Sequence, residues 1–176
     1  MKSSLKKWVL AALFLALTYV LPFLTGQIQS FGQMLLPMHI PVMLCGIICG
    51  WRLGLLVGLL APFLRSLTLG MPPLYPGAIA MSAELLTYGA VIGLLYEALP
   101  KKTWALYAEL LLSMLAGRIV WALMRYLLTF LGNSKFSWQI LLTSGFIEAW
   151  PGMVLQLILI PGIILALQRF KLVPVK

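Results

Sequence analysis

The sequence holds only four acidic residues, all of them glutamate, and charged side chains of both signs make up just 10% of it. A soluble domain of 176 residues has to cover its surface with charge, and this chain cannot do so. Histidine occurs once, at His39. One imidazole builds no His-rich metal centre, and no serine has a plausible histidine partner for nucleophilic catalysis. No G-x-x-x-x-G-K-[ST] stretch is present, so the chain does not hydrolyse ATP through a P-loop of its own. The two cysteines, Cys45 and Cys49, share one face of an apolar segment without a nearby acid or histidine. They read as small buried hydrophobes rather than metal ligands. Nothing points to an enzyme, a cofactor or a bound metal.

Apolar residues account for 62% of the chain, in runs long enough to span a bilayer. Six segments emerge, at about 8–24, 38–49, 53–69, 77–99, 104–131 and 138–168. The third connection, Gly70-Met71-Pro72-Pro73-Leu74-Tyr75-Pro76, cannot continue a helix. A continuous, tilted helix over 38–69 is the competing reading, and it leaves five spans. Glycines at 46, 50, 54 and 58 favour a tight hairpin there instead, because small residues let helix backbones approach closely. The expected fold is an all-α membrane protein of six transmembrane helices in a single domain, 1–176.

The net charge of +9 is distributed by topology. Lys2, Lys6 and Lys7 precede the first segment, Arg52 lies in the second connection, and Lys101 and Lys102 lie in the fourth. Arg169, Lys171 and Lys176 form the tail, while the first and third connections carry no basic residue. This is the positive-inside pattern with both termini cytoplasmic, not a nucleic-acid-binding surface. No small-x-small cleavage site follows the basic start, so segment one reads as an uncleaved helix.

Charge inside lipid is costly and marks function by default. Arg65, Glu84, Glu109, Arg118, Arg125 and Glu148 all fall within the segments. Glu84 lies roughly 10 Å, Glu148 roughly 14 Å, Arg125 about 9 Å and Arg118 about 20 Å below the outer ends of their segments. Glu109 falls near an inner end and reads as interfacial. Arg118, Trp121 and Arg125 share a helical face at i, i+3 and i+7, as do Met81, Glu84 and Tyr88. Glu148 stands beside Trp150, with Gly152 and Gln156 following. Acids, arginine forks, aromatics and amides converging on one level describe a site for a small polar molecule. The alternative is that Glu84 or Glu148 merely neutralises Arg118 or Arg125. His39, between Pro37 and Pro41, reads either as a loop-packing residue or as a ligand contact. Ala12 and Ala16, four apart on segment one, suit close helix approach, either inside the protein or to a partner.

In order along the chain stand Ala12-x-x-x-Ala16, a long polar first connection and the Pro37-Met38-His39-Ile40-Pro41-Val42 entry to a short segment. The Gly46-to-Gly58 hairpin and a Gly70-Met71-Pro72-Pro73 loop leading to Glu84 follow. This ordered set resembles the substrate-binding S component of an energy-coupling factor (ECF) transporter, a prokaryotic vitamin-uptake system. The resemblance implies capture of a small water-soluble vitamin or precursor near the outer face of the cell membrane. It implies docking, through Ala12 and Ala16, onto a transmembrane coupling subunit driven by two ATPase subunits. It also implies that Gln27, Gln29 and Gln33 gate the site and that Met71 to Tyr75 help line it. Glu84, Tyr88, Arg118, Trp121, Arg125, Glu148, Trp150 and His39 become the candidate substrate contacts. A scaffold of the MreD type and a solitary ion-coupled carrier are the alternatives from other classes.

Overall fold

The computed structural model describes residues 2–25, 34–100, 102–132, 143, 147 and 149–170. Every regular element among them is helical. The helices are α1 (Lys2–Val20), α2 (His39–Cys49), α3 (Trp51–Leu69), α4 (Ile79–Ala98), α5 (Thr103–Leu131) and α6 (Trp150–Arg169). Among the described residues five stretches are long and apolar enough to cross a membrane: Leu5–Phe23, Trp51–Leu69, Leu74–Ala98, Thr103–Leu131 and Trp150–Arg169. The chain is therefore a multi-pass membrane protein. The 138–149 part of the sixth expected segment lies almost entirely outside the described residues.

The second segment is a separate helix, not the first half of a long one. Gly50 breaks it at φ 99° and ψ 162°, a conformation that side-chain-bearing residues rarely adopt. The chain then reverses, so that Gly46 and Gly54 face each other across a hairpin. A Cβ on Gly54 would lie 2.6 Å from the Gly46 Cα. With 11 residues, α2 is roughly 16 Å long by its rise per residue, about half a hydrocarbon core. Its first residue consequently sits deep in the bundle. The residues before it, including buried Leu36 and Met38, fill part of the space above.

Helix α4 is the centre of the bundle, packed against α2, α3 and α5. A glycine seam makes this approach possible, because any Cβ on Gly54 or Gly89 would collide with the other helix's backbone. Backbone cannot move aside as a flexible side chain can, so overpacking here should cost about 1–3 kcal/mol or more. Gly89→Ala is thus expected to lower the thermal midpoint of the detergent-solubilised protein, followed by tryptophan fluorescence. Gly162→Ala, where the added methyl meets nothing within 4 Å, serves as the control and should leave the midpoint unchanged or raised. Equal midpoints for Gly89→Ala and wild type would contradict the seam.

Helix α1 turns Ala11, Phe14 and Thr18 inward against α2 and α3. Its opposite face, with Ala12, Leu13, Ala16 and Leu17, is exposed. Arg65, near the end of α3, donates from Nη1 to the Tyr19 carbonyl at 3.1 Å and lies over the Phe23 ring. A cation at the carboxyl end of α1 complements the helix dipole, which gives Arg65 a structural task at this depth.

A buried polar cluster as the candidate substrate site

Three helices bring His39, Glu84, Tyr88 and Arg118 together. His39 is the first residue of the short α2. Glu84 and Tyr88, one turn apart, share the face of α4 turned towards it. Arg118 comes from the middle of α5. Arg118 Nη1 lies 3.2 Å from Glu84 Oε1, and His39 Nε2 lies 3.5 Å from the same oxygen. The His39 ring meets the Tyr88 ring edge-on at 5.2 Å. Gly117 makes room for that tyrosine, since a Cβ there would stand 2.9 Å from the ring. All four side chains are essentially inaccessible: His39 0%, Tyr88 0%, Glu84 1% and Arg118 3% exposed.

Burying an ion costs several kcal/mol even in a relaxed protein interior, and one opposite charge offsets only part of that. The cluster is also incompletely satisfied. Neither contact to Glu84 Oε1 has the alignment of a hydrogen bond, so the pair is an ion pair and little more. Both ring nitrogens of His39, the Tyr88 hydroxyl, and Nε and Nη2 of Arg118 find no hydrogen-bond partner among the described residues. Each such group costs about 1–3 kcal/mol while it stays unmet. Gln156 adds two more buried, unpartnered atoms. Its helix packs at Gly152 against the Met34 and Leu35 carbonyls, just before α2. Gln156 stands one turn further along the same helix. Native interiors rarely concentrate unmet polar groups this way unless something polar enters.

The other sequence candidates are placed differently. Trp121 and Arg125 stack on each other, the guanidinium carbon 5.7 Å from the ring centroid, on a partly exposed flank of α5. Trp150 is exposed at the start of α6. Tyr75 hydrogen-bonds through its hydroxyl to the Leu128 carbonyl and so ties the third connection to the end of α5. Glu148, Gln27, Gln29 and Gln33 lie outside the described residues. Glu109, read as interfacial, is buried and lines a cleft with Tyr96, Lys102 and Gln168 at the end of the bundle where α4 passes into α5. There Gln168 Nε2 donates to the Tyr96 hydroxyl at 3.4 Å. Cys45 and Cys49 are buried in the core. Gly117, which makes room for Tyr88, is the contributor that sequence reasoning did not single out, although it adjoins Arg118.

The family model of the ECF transporter substrate-specific component matches residues 6–164. No curated protein and no solved structure gives a significant match.

Proposed function

Because this chain belongs to the substrate-specific components of ECF transporters, we propose that it captures a small water-soluble vitamin or precursor for ATP-driven uptake. The observation that carries the reading is the buried cluster of His39, Glu84, Tyr88 and Arg118, with its unmet donors and acceptors. A purely structural ion pair would have been packed more cheaply by apolar side chains. In this reading the protein lies in a prokaryotic cell membrane with both termini cytoplasmic, as the distribution of Lys and Arg favours. The six segments then place the start of α4 and the end of α5 outermost, and the cluster in the outer half of the bundle. Gln27, Gln29 and Gln33 in the first connection gate it, and Glu148 and Trp150 serve as further substrate contacts from the last segment. The exposed Ala12–Ala16 face of α1 docks onto a transmembrane coupling subunit bearing two ATPase subunits.

Native mass spectrometry of protein purified in mild detergent from cells grown on rich medium tests this. A stoichiometric adduct of vitamin size is the expected result. A bare protein that also stays empty with a panel of B vitamins would reject substrate capture and favour a scaffold.

A further inference from the structure

We propose that the captured compound is a carboxylate, held side-on by the Nε–Nη2 edge of Arg118. The inference rests on the capture reading above and adds the chemical class of the ligand. A guanidinium offers five N–H donors in a rigid plane. In Arg118 the Nη1 corner is turned to Glu84 at 3.2 Å. The opposite long edge, where Nε–H and one Nη2–H point the same way, has no partner among the described residues and is buried. Two parallel donors match the two oxygens of a carboxylate, and Glu84 on the far corner holds the plane in position.

The electrostatics narrow the choice further. Among the described residues Glu84 and Arg118 together are close to neutral, so a dianion such as a phosphate monoester lacks the positive charge it would need. A cationic ligand approaching Glu84 Oε1 meets the like charge of the Arg118 guanidinium 3.2 Å from that oxygen, which opposes it. A neutral ligand offers the guanidinium edge only uncharged acceptors, which hold it less strongly than the two charged oxygens of a carboxylate. The amino end of α2 adds a fractional positive charge at His39, and no side chain caps it. The Tyr88 hydroxyl and the Gln156 amide remain for a second polar group, so the ligand also bears a hydroxyl, carbonyl or amide.

The test pairs acids with near-isosteric neutral twins on the full-length protein in detergent: nicotinate with nicotinamide, pantothenate with pantothenol, biotin with biotinol. Thiamine and pyridoxine are included as cationic and neutral probes. Any compound released from protein purified after growth on rich medium is treated with acidic methanol and weighed for methyl-ester formation. One acid is expected to bind at least about a hundredfold more tightly than its twin, or the released compound to form an ester. Arg118→Lys keeps the charge but loses the fork, and is expected to shrink the acid-to-twin ratio at least tenfold. Comparable or tighter binding of a neutral or cationic probe, or a released compound that forms no ester, overturns the carboxylate while capture stands. No binding by any probe, with nothing released, overturns capture as well. The wild-type comparison needs no variant, so it decides between these outcomes even where Arg118→Lys folds poorly.

Discussion

Arg118→Gln and Glu84→Gln are expected to destabilise the ligand-free protein alike and then to diverge once ligand is added. Each substitution leaves one charge of the buried pair without its partner, which in protein interiors costs about 3–5 kcal/mol. Both variants should therefore melt well below wild type. In Glu84→Gln the guanidinium edge survives, and an arriving carboxylate becomes the counter-ion that Arg118 has lost. Ligand should then raise the melting point of Glu84→Gln by more than it raises that of wild type, because binding adds to the native state alone. In Arg118→Gln the fork is gone and a second carboxylate would join an unpaired Glu84. Affinity there should fall by at least about thirtyfold, the lower end of what losing one partner of a buried charge pair costs. The measurement is a thermal shift with and without saturating ligand for all three proteins. Equal ligand-induced shifts in wild type and Arg118→Gln would remove Arg118 from the site.

These residues were legible in the sequence to different degrees, for physical reasons. Glu84 and Tyr88 are one turn apart on a helix, so they share a face whatever packs on it, and the structure keeps them together. The same periodicity groups Arg118, Trp121 and Arg125, yet only Arg118 reaches the cluster. Spacing along α5 says nothing about how far its neighbour extends. Helix α4 begins at Ile79, roughly 8 Å before Glu84, while Arg125 lies roughly 10 Å beyond Arg118 in the same direction. Arg125 thus falls at or past the end of the helix that would bury it, and it turns to Trp121 instead. The glycine series from Gly46 to Gly58 pointed to a hairpin, but only the backbone at Gly50 decides between a hairpin and a long helix. The seam's other half, Gly89 and Gly93 on α4, carries the same spacing and receives the hairpin's backbone.

The shortness of α2 links fold to site more than any single residue does. A full-length second helix would carry its first turn to the membrane surface and fill the core with side chains. Stopping after 11 residues leaves His39 at the depth of Glu84 and Arg118. The Pro37 to Pro41 entry holds two prolines within five residues. Pro41 lies in the first turn, where the amide hydrogen that proline lacks would have no helical partner. Proline thus starts the helix without loss, and the polar cluster occupies the level that the missing turns leave open.

Replacing Ala12 and Ala16 together with leucine should abolish uptake in whole cells while leaving ligand affinity in detergent unchanged. Both alanines are exposed on α1, on the face opposite Ala11, Phe14 and Thr18, which pack into the protein's own core. Internal packing therefore does not account for them. Small residues one turn apart let a second helix come close enough for backbone contact, and two leucine side chains would hold it away. In lipid, leucine is at least as well tolerated as alanine, so the variant should insert and fold normally. Retained binding then separates a docking defect from a damaged site, which the Arg118 variants would show instead. The comparison is radiolabelled uptake against affinity, with Leu13→Ala on the same exposed stretch as a control for lipid contact. Uptake at wild-type rates in the double variant would move the docking surface off helix α1, whereas joint loss of uptake and binding would mean that α1 supports the site itself.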